Sequence, residues 1–526
     1  MLTLGVAFYR RVIIIGSILL LALLRGGLYA SYLPPWGLID EQQHVHYIQY
    51  LGEHWSIPVV GKTYLSPEIA ESVLQTRRHE MFHWPSPASA NPDDLGLEGQ
   101  SYEGYQPPLF YLLFTPLYKI LPGDILIKVY GLRWAIVVLS LLTVWITYQI
   151  GRDLFPQDDA MPVVICFLLV MIPERTISVS RVNNDVLLEV LATAFVWMST
   201  RSVLNGLSIR RAQLLGLLLG LGVLTKTSMA VMVIFLPFIF WANRCDSKLK
   251  HYAVWTVTIS ALLIFPLIAR NLWLYGDFTG FAAFRAMSNF NRPELSGYTV
   301  GRAILDLFRH FWMIWWKGAQ VTGNLFTDWL YLILLFLTGW SLINVVIHIR
   351  KKSLNPESKR NRLVILMYIT AIGGYAAAIL TSYLAGHIPI VQGRFFLPVI
   401  APIVILFGWG LWMSSRRIVL FVITTGVLAI MDIAFLFGNL LPYFYYWSSF
   451  ARSGASPSFH FFEDWRETWH LFYSRFLSDK PAFLHGVIVW LAPLYIFVLA
   501  ITSMRLIRIF PSSSQPPSLL ETKPPD

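Results

Sequence analysis

Asp40 and Glu41 stand side by side just past a long apolar run, where a carboxylate can serve as a general base toward a substrate carried on a lipid. The run from Val12 to about Ala30 is long enough for a bilayer core of about 30 Å, so the pair emerges about one or two helical turns beyond the membrane surface. Later apolar runs end on a comparable set of polar residues: His44, Glu103, Gln106, Arg181, Asn184, Asp185, Lys226, Arg270, Asn271, Gln392 and Arg394. Carboxylates beside cations suit an inverting transfer, in which a base takes a proton from an acceptor while cations stabilise an anionic leaving group. A lipid phosphate is the leaving group that fits a membrane site.

The elements that must position these residues follow from composition. Of 526 residues, 56% are hydrophobic and 13% charged, which excludes an ordinary soluble domain and implies an all-α polytopic membrane protein. The net charge of +11 falls in short basic clusters between apolar runs, the distribution of the positive-inside rule and not of a nucleic-acid surface. Cys166 lies in an apolar run and Cys245 in a basic loop, so no disulfide is expected in the outer loops. Arg10-Arg11 before the first run, with no small-x-small cleavage site after it, reads as an uncleaved anchor with its amino end inside.

Two segments decide the topology. Pro107–Leu121, bracketed by prolines, is too short to span and is expected to be an interfacial or re-entrant helix. Ala212–Trp241 is too long for one span and is broken at Thr225-Lys226-Thr227, which predicts two short helices in a hairpin with Lys226 at the outer apex. There the lysine avoids the roughly 2.5–3.5 kcal/mol cost of a charge at a helix centre. Further spans are expected near 126–150, 162–178, 186–204, 253–269, 329–349, 363–384, 395–413, 418–438 and 484–504, about twelve in all. Both termini then lie inside, within a single domain over 1–510. Outer loops fall at 31–106, 270–328 and 439–481, and 511–526 is expected to be a disordered cytoplasmic tail. The tryptophans of 270–328 fit a headgroup belt.

In this order, Asp40-Glu41 after the first span, Tyr102 to Pro108 (YEGYQPP), Asn183-Asn184-Asp185 opening a span, Leu224-Thr225-Lys226, Arg270-Asn271 before Tyr275-Gly276-Asp277, and Gln392-Gly393-Arg394-Phe395 resemble the GT-C glycosyltransferases. The nearest groups are the protein O-mannosyltransferases and the lipid A aminoarabinose transferases. The resemblance implies a polyprenyl-phosphate-linked monosaccharide donor, a protein, lipid or glycan acceptor, and inverting transfer at the outer face, in a bacterial inner (plasma) membrane. It makes Asp40 the general base with Glu41 beside it, and puts Lys226, Arg394 and Arg270 on the donor phosphate. Glu103, Gln106, Asp185, Gln392 and His44 are left to bind substrate. Glu103 stands near a metal-binding glutamate of the aminoarabinose transferases, but Gly104-Tyr105-Gln106 replaces the Glu-Lys-Pro-Pro arrangement there, so a divalent metal is an open question.

Each residue also has a structural role to weigh. Asp40-Glu41 and Asp185 can cap helices, Lys226 can snorkel to headgroups, and Arg270 and Arg394 can anchor at the interface. Asp40, His44, Tyr47 and Leu51 are expected to share one helical face, from which Glu41 points about 100° away. His44, His46, His54, His79 and His83 have no tetrahedral ligand spacing. The rival reading, a transporter or flippase of a lipid-linked or anionic substrate, calls for midplane charges and repeated halves, and no repeat is seen.

Overall fold

In a bilayer core no water can satisfy backbone N–H and C=O groups, so apolar runs of this length must close their hydrogen bonds internally as helices. The computed structural model describes residues 2–509 except 38–39, 77, 79–86, 92, 289–296, 317–327, 351–355, 386–391, 438–440, 442–443, 446–472 and 475. The helices are α1 (Leu2–Tyr32), α2 (Glu41–His54), α3 (Pro67–Gln75), α4 (Leu109–Ile120), α5 (Ile125–Leu154), α6 (Met161–Val170), α7 (Pro173–Val179), α8 (Asp185–Leu204) and α9 (Ile209–Thr225). They continue as α10 (Leu236–Ala242), α11 (Leu249–Tyr275), α12 (Phe281–Ser288), α13 (Gly297–Trp316), α14 (Asp328–Arg350), α15 (Pro356–Leu384), α16 (Ile400–Trp412), α17 (Arg417–Phe435) and α18 (Ala482–Ile509). Among the described residues the one β-pairing is an isolated bridge between Tyr64 and Gln100.

The chain is an all-helical integral membrane protein. Nine described helices are long and apolar enough to cross a membrane, or ten with the bent pair α6 and α7 taken as one span. The expected count of about twelve is therefore not reached by length and composition, because the arms of the predicted hairpin are short. The first arm, α9, has 17 residues, and the second, Thr227–Ala242, begins as a 3-10 helix. The hairpin itself is present. Asn243, just past its second arm, donates to Ser202 O and accepts from Leu207 N, which returns the chain to the level where α8 ends and α9 begins. The first arm lies against α8 and α11 and the second against α8 and α15, and α11 approaches α9 so closely that a Cβ at Gly216 would stand 2.5 Å from the Thr256 carbonyl oxygen. α4 is a 12-residue helix packed on α2, and the tail 511–526 and most of loop 439–481 lie outside the described residues.

The bend between α6 and α7 is 65° and falls where Pro173 interrupts the backbone ladder. Arg25 of α1 satisfies the freed carbonyls, donating to Val170 O and to Ile172 O at 3.3 Å, and its charge is met by Asp432 of α17 at 2.5 Å. Tyr29 and Tyr495 donate to the same carboxylate, so one buried ion pair links α1, α17, α18 and the bend. A charge at this depth is tolerable only when fully paired. At one end of the bundle Arg201 pairs with Asp153, Arg360 donates to Leu204 O, and Trp412 donates to Asp158. The basic clusters thus gather at the end opposite Asp40, as the positive-inside rule requires if Asp40 faces out.

Cys245 is exposed beside that basic end, and Cys166 is buried, which gives a direct test of orientation. A membrane-impermeant maleimide should label a Ser89→Cys protein at position 89 in intact cells, and Cys245 only after permeabilisation. The reverse pattern would place Asp40 inside.

Candidate active site

Asp40 is fixed by its neighbour. The Glu41 carboxylate takes two hydrogen bonds from Arg133 of α5, Nε at 2.8 Å and Nη2 at 2.6 Å, and further ones from the backbone N–H groups of Val182 (2.9 Å) and Trp36 (3.2 Å). Arg133 also donates to the carbonyls of Ala30, Leu33 and Pro34, capping the end of α1. Both side chains are fully buried. Glu41, expected beside Asp40 in the chemistry, is instead wholly engaged as a structural anchor, and its four bonds leave no reach toward a substrate. With Glu41 pinned, Asp40 occupies the N-cap of α2 in the left-handed region (φ 68°), a conformation an aspartate tolerates better than most residues.

So placed, the Asp40 carboxylate accepts from Tyr102 OH at 2.8 Å and pairs with Arg394 Nη2 at 3.2 Å. Tyr102 comes from the 3-10 turn Tyr102–Tyr105, which is pressed against the first loop so tightly that a Cβ at Gly104 would lie 2.9 Å from Pro58 O. Arg394 is presented by the 3-10 turn Gly393–Val399 at the head of α16, with Gln392 half-buried at its start. Burial acts to raise the Asp40 carboxyl, but Arg394, the Tyr102 hydrogen bond and Arg181 outweigh it and hold it below the usual carboxylate range.

The Asn183-Asn184-Asp185 run divides its work. Asn183 closes the turn into α8, donating to Ser178 O and Arg181 O and accepting from Asp185 N. Asn184 donates to Gln106 Oε1 at 3.2 Å and to Thr225 O at 3.3 Å, which ties the YEGYQPP turn to the hairpin apex. Asp185 pairs with Lys226 Nζ at 2.5 Å. Lys226 therefore sits at the apex as predicted, but facing a carboxylate and not open headgroups. Glu103 is buried within electrostatic reach of Asp40, Lys226 and Arg394, and burial followed by the charge of Asp40 pushes its carboxyl upward.

Two expected substrate contacts are drawn into the scaffold. His44 is buried, with Nδ1 2.9 Å from Tyr111 OH, and burial drives its imidazole down to about 3, so it is neutral. Tyr47 stacks on Tyr111 at 3.7 Å between ring centroids and donates to Gln106 O. Arg270 donates to Pro58 O and to Asn271 Oδ1 and lies over the Tyr275 ring, while Tyr275 OH accepts from Val60 N. It straps the first loop to α11 and does not join the Asp40 or Asp185 pairs. Tyr102 and Arg133 were not singled out by sequence reasoning. The first was visible inside YEGYQPP, whereas the second lay in an apolar run with nothing to mark its partner. Among the described residues no three His, Cys, Asp or Glu side chains gather as a metal site would require.

Arg133→Ala would leave the Glu41 carboxylate buried and unpaired, at a cost of about 3–5 kcal/mol. The thermal midpoint should fall more for Arg133→Ala than for the pair Arg133→Met with Glu41→Gln, which removes both charges. Thermal unfolding of the purified proteins in detergent measures this.

Residues 106–269, from the Gln106 turn to near the end of α11, match the sequence model of the family described as dolichyl-phosphate-mannose-protein mannosyltransferase. No curated protein matches the chain. Among solved structures it is similar to ArnT from Cupriavidus metallidurans bound to undecaprenyl phosphate, at 12% identity and a TM-score of 0.48, covering 94% of this chain and 77% of that one. It is also similar to the apo oligosaccharyltransferase of Archaeoglobus fulgidus, at 13% identity and a TM-score of 0.41, covering 80% of this chain and 56% of that one. The resemblance to GT-C glycosyltransferases read from the motifs is thus borne out over residues 106–269 by the mannosyltransferase family match.

Proposed function

We propose that this chain is an inverting glycosyltransferase that moves a monosaccharide from a polyprenyl-phosphate donor to a protein, lipid or glycan acceptor at the outer face of a bacterial inner membrane. The observation that carries the reading is the Asp40 carboxylate held between Tyr102 and Arg394, with Lys226 in the same charged cluster. An acceptor hydroxyl attacks the anomeric carbon from the face opposite the phosphate. As the new C–O bond forms, Asp40 takes the hydroxyl proton, and the bond to the phosphate oxygen breaks. The leaving phosphate gains negative charge, which Lys226 and Arg394 are positioned to stabilise in a setting that is largely shielded from water. Glu103 lies within electrostatic reach of Asp40, Lys226 and Arg394 and next to Gln106, which Asn184 holds, and these polar groups would contact the sugar.

Asp40→Asn keeps the shape and removes the base, so turnover should fall by roughly 10²–10⁴-fold while donor binding persists. Transfer from a purified lipid-linked donor, with the product's anomeric configuration determined, is the readout, and a retained configuration would reject the mechanism. Arg394→Lys should not restore what Arg394→Ala loses in donor affinity, because the planar fork is gone.

The pH profile gives a separate check. A base held below the usual carboxylate range stays ionised through neutral pH, and activity is lost only as pH falls through that depressed value. Tyr102→Phe removes a hydrogen bond to the ionised form, so the acid limb should move to higher pH.

A further inference from the structure

Both cations assigned to the donor phosphate are already paired: Arg394 with Asp40 at 3.2 Å and Lys226 with Asp185 at 2.5 Å. Each cation keeps further N–H donors, but a phosphate that arrives must either share the cation with a carboxylate or displace it. For Asp40 that carboxylate has a second task, the proton transfer, but Asp185 has none in the reaction as written.

The two members of the second pair differ in freedom. Asp185 opens α8 with its N–H bonded to Asn183 Oδ1, and the adjacent Asn184 is tied to both Gln106 and Thr225 O, so its backbone cannot withdraw. Lys226 sits in extended backbone between two helices at the hairpin apex, on a flexible four-carbon stem, and its side chain is 17% exposed against 4% for Asp185. The lysine can swing and the aspartate cannot.

We propose that Asp185 is a positioning residue that competes with the lipid phosphate for Lys226, holding the ammonium in the empty site and reclaiming it when the phosphate product departs. The proposal rests on the donor-phosphate reading of Lys226. When a binding group is free only part of the time, the apparent affinity drops by that fraction. Removing the competitor should therefore tighten binding of the phosphate, whereas a purely structural or substrate-contacting Asp185 would make its loss weaken binding.

The test is the affinity of the purified full-length protein in nanodiscs for polyprenyl phosphate lacking a sugar. It compares wild type, Asp185→Asn, Lys226→Ala and the double variant, with Asp185→Ser as a second neutral replacement. The expected result is binding tighter by about 10-fold in both Asp185 variants, weaker binding in Lys226→Ala, and no gain from Asp185→Asn once Lys226 is absent. Equal or weaker binding by Asp185→Asn and Asp185→Ser at an unchanged thermal midpoint would overturn the proposal. A gain that persists without Lys226 would overturn it too, since it would reflect loss of a negative charge and not release of the lysine. If wild type binds polyprenyl phosphate and only the gain is missing, the donor reading survives and the competition does not. If wild type fails to bind it at all, both fall.

Discussion

The buried ion pair between Glu41 and Arg133 is the constraint on which the site depends. Arg133 spans the end of α1 and the start of α2, bonding three carbonyls of residues 30–34 and both oxygens of Glu41. The turn between the two helices is thereby fixed, and Asp40 is left with one backbone conformation and one direction. A flexible loop would let that carboxylate wander by more than the fraction of an ångström that proton transfer tolerates. The backbone N–H of Val182 joins the same carboxylate, so the turn that leads into Asp185 is set by the same anchor as Asp40.

The same logic of complete pairing runs through the membrane-embedded part. Arg25 and Asp432, Arg175 and Glu189, and Arg133 and Glu41 are charges that would be prohibitive alone in a low-dielectric interior. The first and last are shared among several donors and join elements far apart in sequence, whereas Arg175 and Glu189 link the consecutive helices α7 and α8. Arg25 also solves a local problem, since Pro173 breaks the ladder and strands carbonyls that need a donor. At the candidate site the balance differs. Asp40 with Arg394 and Asp185 with Lys226 are single contacts with partial exposure, and such pairs can exchange partners when an anion arrives. The architecture thus sets fully buried pairs that hold helices apart from partly exposed ones at the candidate site.

The hairpin with Lys226 at its apex shows how a short break in an apolar run becomes a functional position. Two arms too short to span alone are held because α8 packs on both, α11 on the first and α15 on the second, and because Asn243 closes their base on Ser202 and Leu207. The apex then meets the Asn183-Asn184-Asp185 turn, and Asn184 fastens the two by the Thr225 carbonyl. Neither segment has a defined position without the other.

The sequence alone determined the features that depend on local composition. Run length and hydropathy gave the helical membrane class, the prolines around α4 made it a short helix, and the break at Lys226 made a hairpin, because each follows from how much apolar chain a bilayer can hold. The order of motifs, through the family resemblance it carries, picked out Asp40, Asp185, Lys226 and Arg394. Partner choice was decided only by the tertiary structure. Helical spacing turns Glu41 away from the face of Asp40, but only Arg133, 92 residues beyond Glu41, makes Glu41 a scaffold residue. Likewise Arg270 and Arg394 look alike as outer cations, but Pro58 O captures the first and Asp40 receives the second. A charge's role is set by what lies within a few ångströms of it, and those neighbours come from helices that sequence order does not place side by side.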